Sequence, residues 1–154
     1  MKTIIPSPIK NSKIAIITSR FNPEITQKLF DGAVARLTEL TIDEKDITAV
    51  WVPGAVEIPI TAQHLANTKK YAAIICLGAV IYGETKHFDY VCQQVSHGCQ
   101  HVSLNSNIPL IFGVLTTDNM EQAHARTGGA KGHMGRYAAD SAVEMISVLQ
   151  QISA

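Results

Sequence analysis

The stretch AIICLGAV, from Ala73 to Val80, is an unbroken apolar run with no charged residue. Apolar side chains at every position of a short run, rather than at alternate positions, are typical of a strand that is buried on both faces. Such burial occurs where helices cover both sides of a parallel sheet. The run therefore predicts the interior of an α/β sheet.

Similar apolar segments and helical patterns extend on both sides of this run. The other predicted strands are Ile14 to Thr18, Ile47 to Val52 and Leu110 to Val114. Apolar residues at helical spacing predict helices over 23–40, 54–68, 88–106, 120–126 and 138–152. Strands that alternate with helices predict a four-stranded parallel sheet with helices on both faces. Before the last helix a loop is predicted at Gly128, Gly129, Gly132 and Gly135.

The composition favours one compact domain over residues 1–154. Apolar residues make up 46% of the chain and charged residues 17%, which is enough apolar material for a sizeable core. The 13 basic residues balance the 13 acidic ones. Without a basic cluster, the chain lacks the electrostatic footprint of a nucleic-acid-binding protein. A near-neutral surface suits self-association instead.

The N-terminal segment and the cysteines indicate where the protein works. Residues 1–12 are predicted to form an extended arm, because Pro6 and Pro8 interrupt them and no signal-peptide-like apolar stretch is present. The longest apolar run, Ala72 to Tyr82, is too short to cross a bilayer. A cytoplasmic protein without membrane segments is expected, with reduced and mostly buried thiols. These thiols belong to Cys76, Cys92 and Cys99.

The loops at the carboxyl ends of the strands carry most of the chemically capable side chains, and ligands of open α/β sheets bind there. After the third strand, Gly83 allows close backbone approach, and the helix start that follows favours an anion. Thr85 could donate a hydrogen bond from its hydroxyl group to this anion, and His87 could move protons near it. The alternative is that Thr85 only caps the helix and that His87 is an exposed residue of its first turn.

Three other side chains each have a functional and a structural interpretation. Arg126 suits a phosphate because its guanidinium makes two charge-assisted hydrogen bonds, but it could merely compensate a helix dipole. Phe21 could stack on a planar heterocycle or belong to the core. Glu57 could hold ligand hydroxyl groups or cap a helix. His97 and His101 are spaced as a metal pair, but no third ligand is evident and no metal is expected.

The order and spacing of several motifs resemble the lumazine synthase family along nearly the whole chain. The matching segments are SRFN at 19–22, VPGAVEIP at 52–59, LGAVI at 77–81, GETKHFDYV at 83–91, FGVLTT at 112–117 and EQA at 121–123. The resemblance implies a three-layer, flavodoxin-like fold whose arm adds an edge strand to a neighbouring subunit. It also implies condensation of 5-amino-6-(D-ribitylamino)uracil with 3,4-dihydroxy-2-butanone 4-phosphate, a step of riboflavin biosynthesis that needs no metal or organic cofactor.

The same resemblance implies a role for each site residue. His87 is implied to be the proton donor. The ribitylamino-uracil is implied to bind to Phe21, Ala55, Val56, Glu57, Ala79, Val80, Ile81 and a neighbouring subunit's Phe112, and the sugar phosphate to Glu84, Thr85 and Arg126. The family forms homopentamers, many of which assemble into icosahedral shells, and riboflavin synthase is a further implied partner.

Two departures from the family pattern affect the expected substrate affinity. Relatives commonly carry Arg where this chain has Tyr82, and Lys where it has Met134. A competing interpretation is a non-catalytic relative that forms shells or binds flavin, because fold alone does not fix function. Retention of His87 and Arg126 favours the enzyme. A flavodoxin-like redox protein is disfavoured, because the loop after the first strand has no run of Ser or Thr.

Overall fold

The sheet has the predicted strand content and direction. A computed structural model describes residues 1–9 and 11–154, so Lys10 of the predicted arm lies outside the described residues. The four strands pair in parallel in the order β2-β1-β3-β4. They are β1 (Ile14–Ser19), β2 (Ile47–Val52), β3 (Ala73–Ile81) and β4 (Leu110–Thr117).

Within residues 1–9 and 11–154, five helices and a small hairpin complete the fold. Single 3-10 turns at Glu44–Asp46 and Ala55–Glu57 come before β2 and after it. The helices are α1 (Pro23–Glu39), α2 (Ile58–Asn67), α3 (His87–Ser106), α4 (Met120–Ala125) and α5 (Met134–Ser153), and the hairpin strands are β5 (Thr127–Gly129) and β6 (Gly132–His133). The result is the predicted three-layer, flavodoxin-like α/β architecture.

Two apolar cores lie on opposite faces of the sheet. In β1, Ile14 and Ile16 pack with residues of α1 and α5, whereas Ala15 and Ile17 pack with residues of α2 and α3. All four side chains are fully buried. Because side chains alternate across a strand, a sheet covered on both faces requires a continuous apolar run. This explains why the central strands lack the polar alternation of a half-exposed sheet.

Strand β4 is longer than the sequence predicts. It continues to Thr117 instead of ending at Val114, so the predicted loop residues after Val114 belong largely to the strand. Ala79 pairs with Leu115 and Ile81 pairs with Thr117, because the long neighbour β3 offers backbone groups over the whole distance. The apolar pattern ends with the threonines, but the backbone pairing continues.

The glycine-rich segment is a hairpin and a helix start rather than the predicted loop. Strands β5 and β6 pair antiparallel. Gly128 and Gly132 have φ angles of 103° and 79°, in the left-handed region that favours glycine. Gly135 lies in the first turn of α5, where a side chain would overlap the backbone carbonyl of Leu29. Gly135 therefore allows α1 and α5 to approach each other closely.

Residues 1–9 contain no strand and lie against α5. The backbone N–H of Ser7 donates to Ser147 Oγ at 2.8 Å, and Gln151 Nε2 donates to the carbonyl of Ile5 at 2.7 Å. Ile9 is buried. Addition of the arm to a neighbour's sheet stays a prediction. The predicted apolar stripe of the last helix is buried at Ala138 and Ala142 and exposed at Met145, Leu149 and Ile152.

The cysteines agree with the prediction of free thiols. Cys76 and Cys99 are buried and Cys92 is half-buried, and none forms a disulfide. Burial raises the pKa of the Cys76 thiol, so this group stays protonated and unreactive. Among the helices of the described residues, none combines the length and apolarity needed to span a bilayer.

Candidate active site

The carboxyl end of β1 is tied to both of its neighbours in the sheet. The backbone N–H of Arg20 donates to the carbonyl of Val52 at 2.8 Å. Asn22 has a left-handed backbone, and its side-chain Nδ2 donates to the carbonyl of Ala79 at 2.9 Å. Phe21 lies between these two anchors with 71% of its surface exposed. The loop therefore presents an aromatic ring to solvent instead of burying it in the core.

A cavity of about 530 Å³ opens beside this loop, a size in the usual range for small-molecule sites. Nine of the twelve predicted site residues line it. They are Phe21, Ala55, Val56, Glu57, Ala79, Val80, Ile81, Thr85 and His87. Residues scattered over more than sixty positions of the chain thus meet at the predicted carboxyl edge of the sheet.

Strand β3 extends beyond its pairing with β1 on one side of this cavity. Pairing between β1 and β3 ends at Leu77, whereas pairing between β3 and β4 continues to Ile81. Alternate residues of a strand direct their backbone groups to the same side. Because Ala79 accepts its hydrogen bond from the β1 side, the N–H and carbonyl of Ile81 also point there, beyond the end of β1. These groups can therefore bind a planar ligand edge-on.

Glu57 places a carboxylate in the cavity wall. Its Oε2 atom is buried and has no hydrogen-bond partner within the part of the chain that the structure describes. The side chain makes no capping bond to α2, which contradicts its interpretation as a helix cap. A buried, unpaired carboxylate oxygen is unfavourable unless a donor reaches it. The cavity therefore requires a ligand or solvent donor at this point.

The loop between β3 and α3 brings Thr85 and His87 to the same cavity. The backbone N–H of His87 donates to Thr85 Oγ1 at 3.3 Å, and His87 is the first residue of α3. Thr85 thus supports the helix start as its structural interpretation requires, and both side chains also line the cavity. The hydroxyl proton of Thr85 remains available to a ligand, so the two interpretations coexist.

Three predicted site residues do not line the cavity of a single chain. Glu84 is exposed in the loop beside Thr85. Phe112 lies on β4, at the edge of the sheet, with 41% of its surface exposed. Arg126 follows α4 and donates from Nη1 to the carbonyl of Gln122 at 2.9 Å. Phe112 and Arg126 are half-exposed, so both have surface available to a second subunit.

Tyr90 and Gln94 also line the cavity, although neither is among the predicted site residues. They follow His87 by three and seven residues on α3. Residues at this spacing lie on one face of a helix. The helical spacing from His87 was therefore the signal that could have identified them.

The hairpin next to Arg126 contains a histidine in an unusual environment. The backbone N–H of Met134 donates to the carbonyl of Arg126 at 2.8 Å. His133 Nδ1 accepts from the N–H of Arg136 at 3.4 Å and so caps α5. Burial, together with the charge of Arg136, lowers the pKa of His133. The neutral imidazole is the form that can accept this hydrogen bond.

A second cavity and the pair His97 and His101 are weaker candidates for the site. A larger cavity of about 780 Å³ lies at the opposite end of the sheet, where its lining includes Ala72 and Pro109, and none of the twelve predicted residues touches it. His101 contacts Asn105 at 2.8 Å, and the described residues contain no group of three or more metal-binding side chains. The cavity beside Phe21 is therefore the candidate.

An open parallel sheet with a ligand-sized cavity at its carboxyl edge is typical of α/β proteins that bind small molecules. Residues 11–150 match the model of the 6,7-dimethyl-8-ribityllumazine synthase family. The chain is also similar to curated 6,7-dimethyl-8-ribityllumazine synthases of Coxiella burnetii, from strains Dugway 5J108-111, CbuG_Q212 and RSA 493. Each is 56% identical over 140 residues, which cover 91% of this chain and 93% of the relative. This chain belongs to the 6,7-dimethyl-8-ribityllumazine synthase family.

Proposed function

We propose that the protein condenses 5-amino-6-(D-ribitylamino)uracil with 3,4-dihydroxy-2-butanone 4-phosphate. The products are 6,7-dimethyl-8-ribityllumazine, phosphate and water, and the reaction is the penultimate step of riboflavin biosynthesis. Family membership supports this activity. The observation that carries it is that one cavity joins an unpaired carboxylate, Glu57, to a proton-transfer group, His87.

The uracil and its polyol chain fit the part of the cavity around Phe21. The exposed Phe21 ring offers a stacking surface for the pyrimidine, and Val56 adds an apolar wall. The N–H and carbonyl of Ile81, beyond the end of β1, match the polar edge of the ring. Glu57 Oε2 then accepts a hydrogen bond from a hydroxyl group of the ribityl chain, which satisfies the buried carboxylate.

The sugar phosphate fits the start of α3. The positive end of this 20-residue helix favours an anion, and Thr85 can donate its hydroxyl proton to it. Glu84 borders the same position. The uracil amine attacks the ketone to form an imine, phosphate leaves, and ring closure follows. His87 moves protons during these steps, whereas alignment of the two reactants supplies much of the rate. Each step exchanges bonds without net electron transfer, so no redox cofactor is needed.

A second subunit completes the site in this proposal. Phe112 covers the ring and the guanidinium of Arg126 binds the phosphate, both from the neighbouring copy. The neutral charge balance and the exposed apolar side chains are compatible with a homopentamer. We also propose that residues 1–154 form a single domain, that the N-terminal arm adds a strand to a neighbouring subunit, and that the protein is cytoplasmic. Assembly of the pentamers into an icosahedral shell and binding of riboflavin synthase are further parts of the proposal.

The competing function is a non-catalytic protein that binds flavin or forms shells. Such a carrier would have no use for His87 beside Thr85 in the same cavity as the polyol-binding carboxylate. We therefore favour the enzyme over the carrier. A carrier would bind a lumazine or flavin ligand but would release no phosphate.

The test follows turnover with both substrates and two independent signals. Purified protein is mixed with the ribitylamino-uracil and the butanone phosphate, and lumazine absorbance and free phosphate are measured together. The expected result is equal production of both, with the His87→Ala variant slower by roughly 10²-fold, the lower end of general acid–base effects. Binding of a pyrimidine analogue to this variant should be unchanged. Ligand binding without phosphate release by the unmodified protein would establish the carrier instead.

A further inference from the structure

The loop that carries Thr85 and His87 has little support of its own. Residues 83–87 are all exposed. A methyl group at Gly83 would meet no heavy atom within 4 Å. The N–H of His87 donates to Thr85 Oγ1 within this segment, and the carbonyl of Lys86 accepts backbone N–H groups from the first turn of α3, so the segment is held at the end that joins the helix. The position of this loop must therefore be fixed by the residues on either side of it.

Two aromatic rings flank the loop and contact each other. The ring centroids of Tyr82 and Phe88 are 5.6 Å apart and the ring planes are inclined by 80°, an edge-to-face pair. The backbone N–H of Tyr82 donates to the carbonyl of Thr117 at 2.8 Å, which anchors this ring to the end of β4. Half-buried Phe88 packs against the core between the sheet and the helices α2 and α3. Each ring is therefore anchored separately.

We propose that Tyr82 is a positioning residue whose ring closes the loop against Phe88. The pair fastens the two ends of segment 83–87 to each other and so holds Thr85 and His87 at the cavity. The catalytic part of this inference rests on the proposed function. The role belongs to the ring of Tyr82 and not to its hydroxyl group, because the contact with Phe88 is made by the ring.

The expected effect is local and moderate. Tyr82→Ala should lower kcat/KM for the sugar phosphate by roughly 2- to 10-fold, which corresponds to the usual strength of an aromatic pair. Amide hydrogen exchange of residues 83–87 should accelerate by a similar factor. Binding of a pyrimidine analogue should not change, because Phe21 and Glu57 lie outside the loop. Thermal unfolding should change little, because half of the Tyr82 surface is exposed.

Three further variants make the test specific. Tyr82→Phe keeps the ring and should behave as the unmodified protein, whereas Tyr82→Leu keeps an apolar side chain without the ring and should behave as Tyr82→Ala. Gly83 lacks a left-handed backbone and has open space around it. Adding Gly83→Ala should therefore stiffen the loop and restore roughly 2- to 5-fold of the loss in Tyr82→Ala.

The outcomes separate this inference from the proposed function. Unchanged exchange and unchanged kcat/KM in Tyr82→Ala would overturn the aromatic closure. An equal loss in Tyr82→Phe would also overturn it, since that result would assign the role to the hydroxyl group. Faster exchange of 83–87 in a protein whose unmodified form makes no lumazine would support the closure and overturn the proposed enzyme.

Discussion

Among the single residues, Glu57 is expected to lower the free energy of unfolding and to strengthen ligand binding. An unpaired, buried carboxylate oxygen costs about 1–3 kcal/mol of desolvation that nothing in the described chain offsets. Glu57→Met should therefore raise the free energy of unfolding by about 1 kcal/mol while weakening a ribityl-bearing ligand by roughly 10-fold or more. Urea unfolding and ligand titration measure the two effects. An analogue without the ribityl chain is the control and should bind equally. A loss of both stability and binding would contradict a ligand-binding role.

Arg126 should act on one substrate only. Its guanidinium donates to the carbonyl of Gln122 and has further donors available for a phosphate. Arg126→Ala should raise KM for the sugar phosphate by about 10- to 100-fold, because a charge-assisted pair is worth roughly 1.5–3 kcal/mol. Arg126→Lys should recover part of the loss, since a point charge lacks the fork of the guanidinium. Equal changes in KM for both substrates would indicate a structural role at the end of α4.

Among the secondary-structure elements, the central strands could be predicted because burial on both faces determines the residue pattern within each strand. Ile14 to Ile17 and Ala73 to Val80 are apolar at every position, and burial on both faces leaves no other pattern. The end of β4 was not predictable in this way, since Thr116 and Thr117 pair with a strand that lies far away in sequence. The sequence predicts a loop at Gly135 for the same reason, because the close contact with Leu29 arises only when α1 and α5 pack.

The same distinction between local sequence and long-range packing applies to the site residues. Loops that end on one sheet edge could be predicted to meet, and nine of the twelve residues do line one cavity. Phe112 and Arg126 do not line that cavity in the described chain. The unpaired oxygen of Glu57 also had no sequence signal, because the lack of a partner is a property of packing and not of residue type.

The cap of α5 should make the stability of this region depend on pH. Burial and Arg136 lower the pKa of His133 below its ordinary value of 6.5. The unfolded chain therefore binds the proton first, so the stabilisation is complete above pH 6.5 and is lost as the pH falls from there to the folded-state pKa. His133→Asn keeps an acceptor for the Arg136 N–H without titrating, and should reduce this loss. Urea unfolding at pH 7.5 and 5.5 compares the two proteins. An identical pH dependence of the unmodified protein and His133→Asn would contradict a stabilising role of the neutral His133 cap.

At the scale of the whole molecule, the chain looks incomplete by itself. Large apolar side chains such as Phe21, Phe112 and Tyr137 are exposed, and the formal charge is zero. Contacts with another subunit would remove such side chains from water. Head-to-tail contacts that close into a ring would cover such surfaces and place Arg126 of one copy beside His87 of the next. We propose that this shared arrangement is the active site.

Mixing two impaired variants, assayed with the sugar phosphate well below its KM, tests this shared site. His87→Ala and Arg126→Ala chains are unfolded, refolded together in equal amounts, and assayed after native mass spectrometry has confirmed mixed oligomers. With random mixing and two half-sites on different subunits, about a quarter of the sites carry both intact residues, so about a quarter of the unmodified activity should return. Each variant refolded alone is the control. Mixed oligomers without recovered activity would place both residues in one subunit and contradict the shared site.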